Sequence, residues 1–280
     1  MKLAIETYVL QNRFDAKTAI KMIKEAGFDA FDYTFLYENE QNSMLKDDYL
    51  ERAYALKEYA DELGIPCNQA HASADFRYVD PIDPACESYL RVLRSIEAAS
   101  ILGAENIVVH PMGLYLFPDN PNVICRNRAF FKSLIPVCEK FNMHVAVENL
   151  FNGNAPVLGD PQIMNDFIES LDSDRFTICL DLGHLAFTGF TPPEVIRKTN
   201  PKYLKALHVH DNNMVEDLHL LPGDGNLNWQ EITSALGEIG YDGDFNLEVT
   251  GFLEQSENLV EDLKKAEITG RKLMESILHG

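Results

Sequence analysis

The stretch MHVAVEN, residues 143–149, ends an apolar run on a carboxylate, Glu148. Three later stretches repeat the pattern: ICLD ends on Asp181, ALH on His208 and NLE on Glu248. Such runs suit strands of a parallel sheet, buried on both faces. A carboxylate at the end of one is costly to bury unless a metal or another cation neutralises it. The four ends are spaced by 33, 27 and 40 residues. They suggest one site, as in a barrel whose strands all deliver their C-terminal residue to the same mouth. Two Glu, one Asp and one His make a hard, oxygen-rich ligand set for a divalent cation.

Outward from these ends, short apolar runs alternate with segments of helical period. The strands fall near 2–8, 28–35, 65–71, 104–110, 143–149, 176–181, 204–210 and 244–250. Helices are expected at 16–26, 47–63, 84–102, 124–141, 161–170, 193–199, 228–239 and 257–278, where apolar side chains recur every three to four residues. Gly27, Gly64, Gly103 and Gly240 follow predicted last turns, the usual left-handed stop. Eight strand–helix pairs predict an α/β fold, a single (β/α)8 TIM barrel spanning 1–280 as one domain. The competing open doubly wound sheet has no G-x-G-x-x-G after the first strand and no P-loop to support a nucleotide-binding version.

Composition narrows the function. Lys and Arg number 24 against 44 Asp and Glu, a net charge of −20. No Lys/Arg-rich run exists to hold a polyanion, so nucleic acid is disfavoured as a partner. The five cysteines are scattered, with no C-x-x-C pair, which reads as reduced thiols in a cytoplasmic protein. The start, MKLAIETYVLQNRF, reads as a first strand and not as a secretion signal. No apolar stretch approaches the roughly 18–20 residues of a membrane span.

Further polar residues crowd the predicted mouth. His71 and His110 end the third and fourth strands, His184 follows Asp181 in D-x-x-H, and His210 and Asp211 follow His208. Asp217 and His219 form D-x-H ahead of PGDGNLNW. His71, His110, His184, His210, Asp217 and His219 are therefore candidates for additional metal or substrate binding. His144, near a strand start, and His279, in the tail, read as structural and solvated. The expected mouth loops carry many aromatics (Tyr8, Phe35, Tyr37, Phe76, Tyr115, Phe117, Phe151, Phe187, Phe190 and Phe252). Arg13 and Arg77 are the only basic residues expected near them.

HP at 110–111, AVENL at 146–150, CLDLGHLAFTG at 179–189, LHVHD at 207–211, HLLPGDGNLNW at 219–229 and NLEVTG at 246–251 resemble, in order, the xylose-isomerase-like TIM-barrel superfamily. That group includes tagatose and psicose epimerases, inosose dehydratases and endonuclease IV. The resemblance implies a shared metal site on Glu148, Asp181, His208 and Glu248. It implies that Glu148 and Glu248 also form the acid–base pair and that His184 contacts substrate. The additional ligands of the endonuclease pattern match His71, His110, His184, Asp217 and His219, which permits a second or third metal. After HVHD the chain reads NNMVED, without the arginine that ketose 3-epimerases often carry there.

The expectation is a divalent-metal-dependent isomerase or epimerase of a small sugar: a ketose, a polyol-derived keto-sugar or a sugar phosphate. A carboxylate removes the proton beside the carbonyl, the cation stabilises the enediolate, and a second carboxylate returns a proton. One divalent ion is expected, Mn²⁺ or Zn²⁺ first, then Mg²⁺ or Co²⁺. The partner is the sugar itself, with no membrane, and a homo-oligomer is left open. The alternatives are a multi-zinc phosphodiesterase acting on abasic DNA, and an inosose-dehydratase-like lyase or non-catalytic sugar binder. Mouth loops with no basic residue expected near them beyond Arg13 and Arg77 argue against the first, because a phosphate backbone needs several cationic contacts.

Overall fold

The computed structural model describes residues 1–36, 43–74, 83, 85–111, 123–152 and 155–279. Tyr37, Phe76, Arg77, Tyr115 and Phe117 lie outside the described residues, as does the side chain of His279. The strands are β1 Leu3–Glu6, β2 Ala30–Thr34, β3 Cys67–His71, β4 Asn106–Val109, β5 His144–Glu148, β6 Leu150–Asn152, β7 Ala155–Val157, β8 Phe176–Asp181, β9 Leu204–His208 and β10 Phe245–Leu247. Eight of them form one parallel sheet in the order β10-β1-β2-β3-β4-β5-β8-β9. The ends of that order meet: Val209 bridges Leu247 in parallel, its N–H donating to Asn246 at 2.9 Å while the Glu248 N–H donates to Val209 at 3.1 Å. The chain folds as a TIM barrel, with every expected strand present.

The helices that return the chain between strands follow the apolar period. Ala16–Ala26 buries Ala19, Ile20 and Ile23 and is capped by Asp15, whose side chain accepts from the Thr18 N–H. It stops at Gly27, φ 108°, a backbone that an L side chain strains to adopt. The helix expected over 124–141 is two, Val123–Ser133 and Ile135–Phe141. Pro136 has no N–H to continue the first helix and is suited to the opening turn of the second. Three short helices were not expected: Tyr8–Arg13, Leu182–Phe187 and Thr250–Glu254. Each begins one to three residues after a strand end and is too short to show a period. The antiparallel pair β6–β7 likewise occupies what reads as a loop, although Gly153-Asn154, the dipeptide between its strands in the sequence, is a recognised hairpin signal.

Alternation along the strands divides the interior. Outward-facing residues such as Leu3, Phe31, Val145, Ile178 and Leu247 join the main core beneath the helices. Inside the barrel, Val108, Ala146, Cys179 and Ala206 form a separate small cluster. Each of these lies two residues before a mouth residue, His110, Glu148, Asp181 and His208 respectively. Period 2 therefore puts one small apolar layer under one polar layer. Under the other half of the mouth the layer is polar. Buried Asp32 accepts from Gln69 Nε2 at 2.8 Å and from Asn246 Nδ2 at 2.9 Å. Among the described residues, no helix is long and apolar enough to cross a membrane.

Candidate metal centre and active site

The strand ends bring Glu148, Asp181, His208 and Glu248 together: one ligand-capable atom of each lies within 4.8 Å of those of the other three, and all four residues are buried. His208 points Nδ1 into the group, 2.9 Å from Glu148 Oε1, 3.3 Å from Glu248 Oε2 and 3.8 Å from Asp181 Oδ2. Glu248 Oε2 is buried with no hydrogen-bond partner. Three carboxylates converging on one imidazole nitrogen, with no Lys or Arg among the described residues lining the cavity, is a donor set that fits a divalent cation.

Local sequence explains how the ends are held. Asp181 is also the N-cap of Leu182–Phe187, its Oδ1 accepting from the His184 N–H at 2.7 Å. The D-x-x-H spacing thus folds His184 back over the site. Asn149 clamps the two halves: its Oδ1 accepts from the Asp181 N–H at 2.8 Å, and its Nδ2 donates to the Asp181 carbonyl at 3.0 Å. His184 Nδ1 donates to the Asn149 carbonyl at 3.1 Å. Asp211 accepts from the N–H groups of Gly223 and Leu227 and from Trp229 Nε1, at 2.8, 3.0 and 2.7 Å, and so ties down the PGDGNLNW segment.

The remaining candidates form two further groups. His71 Nε2 and His110 Nε2 lie 2.9 Å apart, and 3.5 and 2.9 Å from Glu148 Oε2. His184, His210, Asp217 and His219 also place ligand-capable atoms within 4.8 Å of one another. His210 faces Asp181 and stacks on His219, ring centroids 3.8 Å apart. His219 Nδ1 donates to the Glu248 carbonyl at 2.9 Å.

Glu6 and Asp32 escaped the sequence reading. Glu6 ends β1 in LAIE, the same signal as AVE and NLE. It meets His71 and Glu248, with ligand-capable atoms of the three within 4.8 Å. Asp32 lies deeper and carries no comparable signal, because it is interior to its strand.

The titrations follow from burial and company. Burial pushes Glu6 up to about 7, with Asp32 adding to it, and Asp32 up to about 6. Burial also holds His71 down, at about 3. Burial raises Glu248 well above its ordinary range, and Glu6, Asp181 and Glu148 push the same way against the pull of His208. For Glu148 burial acts upward, but His208 and His110 outweigh it and hold the group low. Burial disfavours the His184 cation, yet Asp181 and Asp217 raise it to about 10.

The mouth is a cavity of about 150 Å³ lined in part by Glu6, Tyr8, Leu36, Phe151, His184 and Glu248. Of the predicted aromatics, Tyr8 and Phe151 line it, and Phe187 packs against Phe151 at 4.8 Å. Phe35 is instead wholly buried in the core, and Phe190 and Phe252 pack against that core. Arg13 donates to the carbonyls of Leu253, Glu254 and Ser256, so its charge is spent on the end of Thr250–Glu254. His144 lines a separate concavity of about 880 Å³ at the strand N-termini, the opposite end of the barrel.

A family model described as xylose isomerase-like TIM barrel matches residues 20–267. An uncharacterized protein of Methanocaldococcus jannaschii is 31% identical over 158 residues, 55% of this chain and 54% of that protein. The match thus spans about half the length of that relative. The D-psicose 3-epimerase of Enterocloster bolteae is 24% identical over 238 residues, 82% of this chain and 75% of that enzyme. The crystal structure of the IOLI protein with a zinc atom superimposes with a TM-score of 0.77 at 17% identity, covering 99% of both chains. That last likeness speaks to the fold.

Proposed function

The chain belongs to the xylose isomerase-like TIM barrel family, and from that premise we propose that it is a divalent-metal-dependent isomerase or epimerase of a small sugar. Glu148, Asp181, His208 and Glu248 would hold the cation. Once bound, the cation would supply Lewis acidity to neighbouring carbonyl and hydroxyl oxygens and stabilise negative charge developing on them.

One observation carries the reading: each glutamate divides its two oxygens between two tasks. Glu148 turns Oε1 toward His208 and leaves Oε2 beside His110 and His71. Glu248 turns Oε2 toward His208 and Oε1 toward His71. A carboxylate so arranged can ligate with one oxygen and carry a proton on the other. One glutamate removes the proton from the carbon beside the carbonyl, and its counterpart delivers a proton to the opposite face. His184 orients a substrate oxygen, while Phe151 and Leu36 help exclude water from the reacting carbon. The D-psicose 3-epimerase relative and the acidic mouth both favour an uncharged ketose.

The test is solvent exchange. The Mn²⁺-loaded protein is incubated with ketoses in D₂O and followed by NMR. Deuterium entering at a carbon next to the carbonyl supports the proposal. Tight ketose binding without exchange, as a sensor would give, removes the catalytic part of it.

A second reading, hydrolysis of abasic DNA by several zinc ions, draws on the His184, His210, Asp217 and His219 group and on the His71–His110 pair beside Glu148. The net charge of −20 and the lack of cationic residues among the described cavity lining oppose it. Two or three tight zinc ions by elemental analysis, together with nicking of an abasic-site duplex, would favour it over the isomerase.

A further inference from the structure

Glu6 has no part in the reaction described above, yet it is built into the mouth. It lines the cavity, is only 4% exposed, and neither of its oxygens has a hydrogen-bond partner. Beside it His71 is 1% exposed, and its Nδ1 is likewise unpartnered. That nitrogen lies 3.7 Å from Glu6 Oε1 and 4.0 Å from Glu248 Oε1. A buried carboxylate and a buried imidazole nitrogen left without partners are each costly, and a ligand that satisfies both recovers that cost.

The spacing says what kind of ligand fits. His71 Nδ1 and Glu6 Oε1, 3.7 Å apart, can share one hydroxyl oxygen about 2.7 Å from each, the reach of a hydroxyl hydrogen bond. A hydroxyl can donate to Glu6 and accept at its lone pair from His71 Nδ1–H. His71 Nε2 shares a hydrogen bond with His110 Nε2; with His110 as the donor there, the His71 proton sits on Nδ1 and is donated to the hydroxyl.

Resting on the isomerase reading, we propose that Glu6 and His71 form a hydroxyl-binding subsite beside Glu248, which selects an uncharged polyhydroxy substrate with a free hydroxyl on the carbon next to the reacting one. A phosphate ester at that hydroxyl loses the donated proton and brings an anion against Glu6 and Glu248. The subsite therefore sets specificity at one substrate position, separate from the cation-binding set.

The experiment uses the Mn²⁺-loaded protein, D-psicose as the probe, and analogues of D-psicose each lacking one hydroxyl, with binding read by calorimetry. The wild type should bind one of these analogues, expected to be the 4-deoxy compound, at least tenfold more weakly than D-psicose. Glu6→Ala should bind D-psicose about as weakly as that and should treat the analogue and D-psicose alike within about twofold. Glu6→Gln and Glu6→Ala should both hold Mn²⁺ as the wild type does. The inference is overturned if Glu6→Ala binds D-psicose as tightly as wild type, if every analogue loses the same factor in both proteins, or if Mn²⁺ affinity falls in step with sugar affinity. A wild type that binds Mn²⁺ but neither binds nor exchanges any ketose sinks the isomerase reading, and this inference with it. A wild type that exchanges while Glu6→Ala is unaffected sinks only this inference.

Discussion

His210 presents one nitrogen to both oxygens of Asp181, Nε2 lying 3.0 Å from Oδ1 and 3.1 Å from Oδ2. The ring has room there because residue 183 is glycine: a Cβ on Gly183 would stand 2.0 Å from His210 Cε1. Partners of metal-binding carboxylates fix their orientation, and losing one typically costs about 10–100-fold in affinity. Both His210→Ala and Gly183→Ala should weaken Mn²⁺ binding by a factor in that range, measured by calorimetry. Unchanged affinity in both variants would mean that His210 does not orient Asp181.

The two glutamates make the sharper chemical prediction. Glu148→Gln and Glu248→Gln keep the shape of the side chain but remove its ability to take up a proton. Each should lower turnover by about 10²–10⁴-fold, the usual worth of a positioned acid or base, while the circular dichroism spectrum stays that of the wild type. Turnover retained in Glu248→Gln would count against the acid–base assignment.

Much of this was legible before any coordinates. An apolar run closing on a ligand-type residue marks a strand end, and in a barrel all strand ends share one mouth, so Glu148, Asp181, His208 and Glu248 could be grouped from their pattern alone. Glu6 carried the same mark but lies far upstream of the other four. Asn149 was hidden because its clamp on Asp181 depends on β5 and β8 being neighbours, which no local pattern states. The partners of Arg13 were hidden for a related reason. Its position in the chain is next to the mouth, but its guanidinium reaches the carbonyl end of Thr250–Glu254. The short helices after β1, β8 and β10 were invisible because a single turn shows no period.

Glu6 should also leave a mark on stability in the metal-free protein. Its folded-state affinity for a proton is raised from 4.5 to about 7. The folded state therefore holds the proton more tightly than the unfolded chain. That contribution is complete below pH 4.5 and is lost as the pH rises through about 7. Glu6→Gln removes the penalty of ionising a buried group. It should stabilise the protein at pH 8 by a few kcal/mol, on the order of 3, with a much smaller effect at pH 5. Urea titrations at the two pH values check this, and an equal effect at both would contradict the assignment.

Asp211 bears on the loop that carries Asp217 and His219. It is wholly buried and serves the N–H groups of Gly223 and Leu227 and the Trp229 indole. Asp211→Ala strands those donors, each worth about 1–3 kcal/mol when left unsatisfied. The variant should lose several kcal/mol of stability by denaturant titration. A loss under about 1 kcal/mol would show that water replaces the carboxylate at little cost.

The central claim is that one divalent cation is held by four strand ends, and anomalous X-ray diffraction from crystals grown with Mn²⁺ tests it most directly. The account predicts a strong peak bounded by Glu148, Asp181, His208 and Glu248, lost in Asp181→Asn crystals grown in the same way. A peak lying only among His184, His210, Asp217 and His219, or no peak at the strand ends at saturating Mn²⁺, would contradict it.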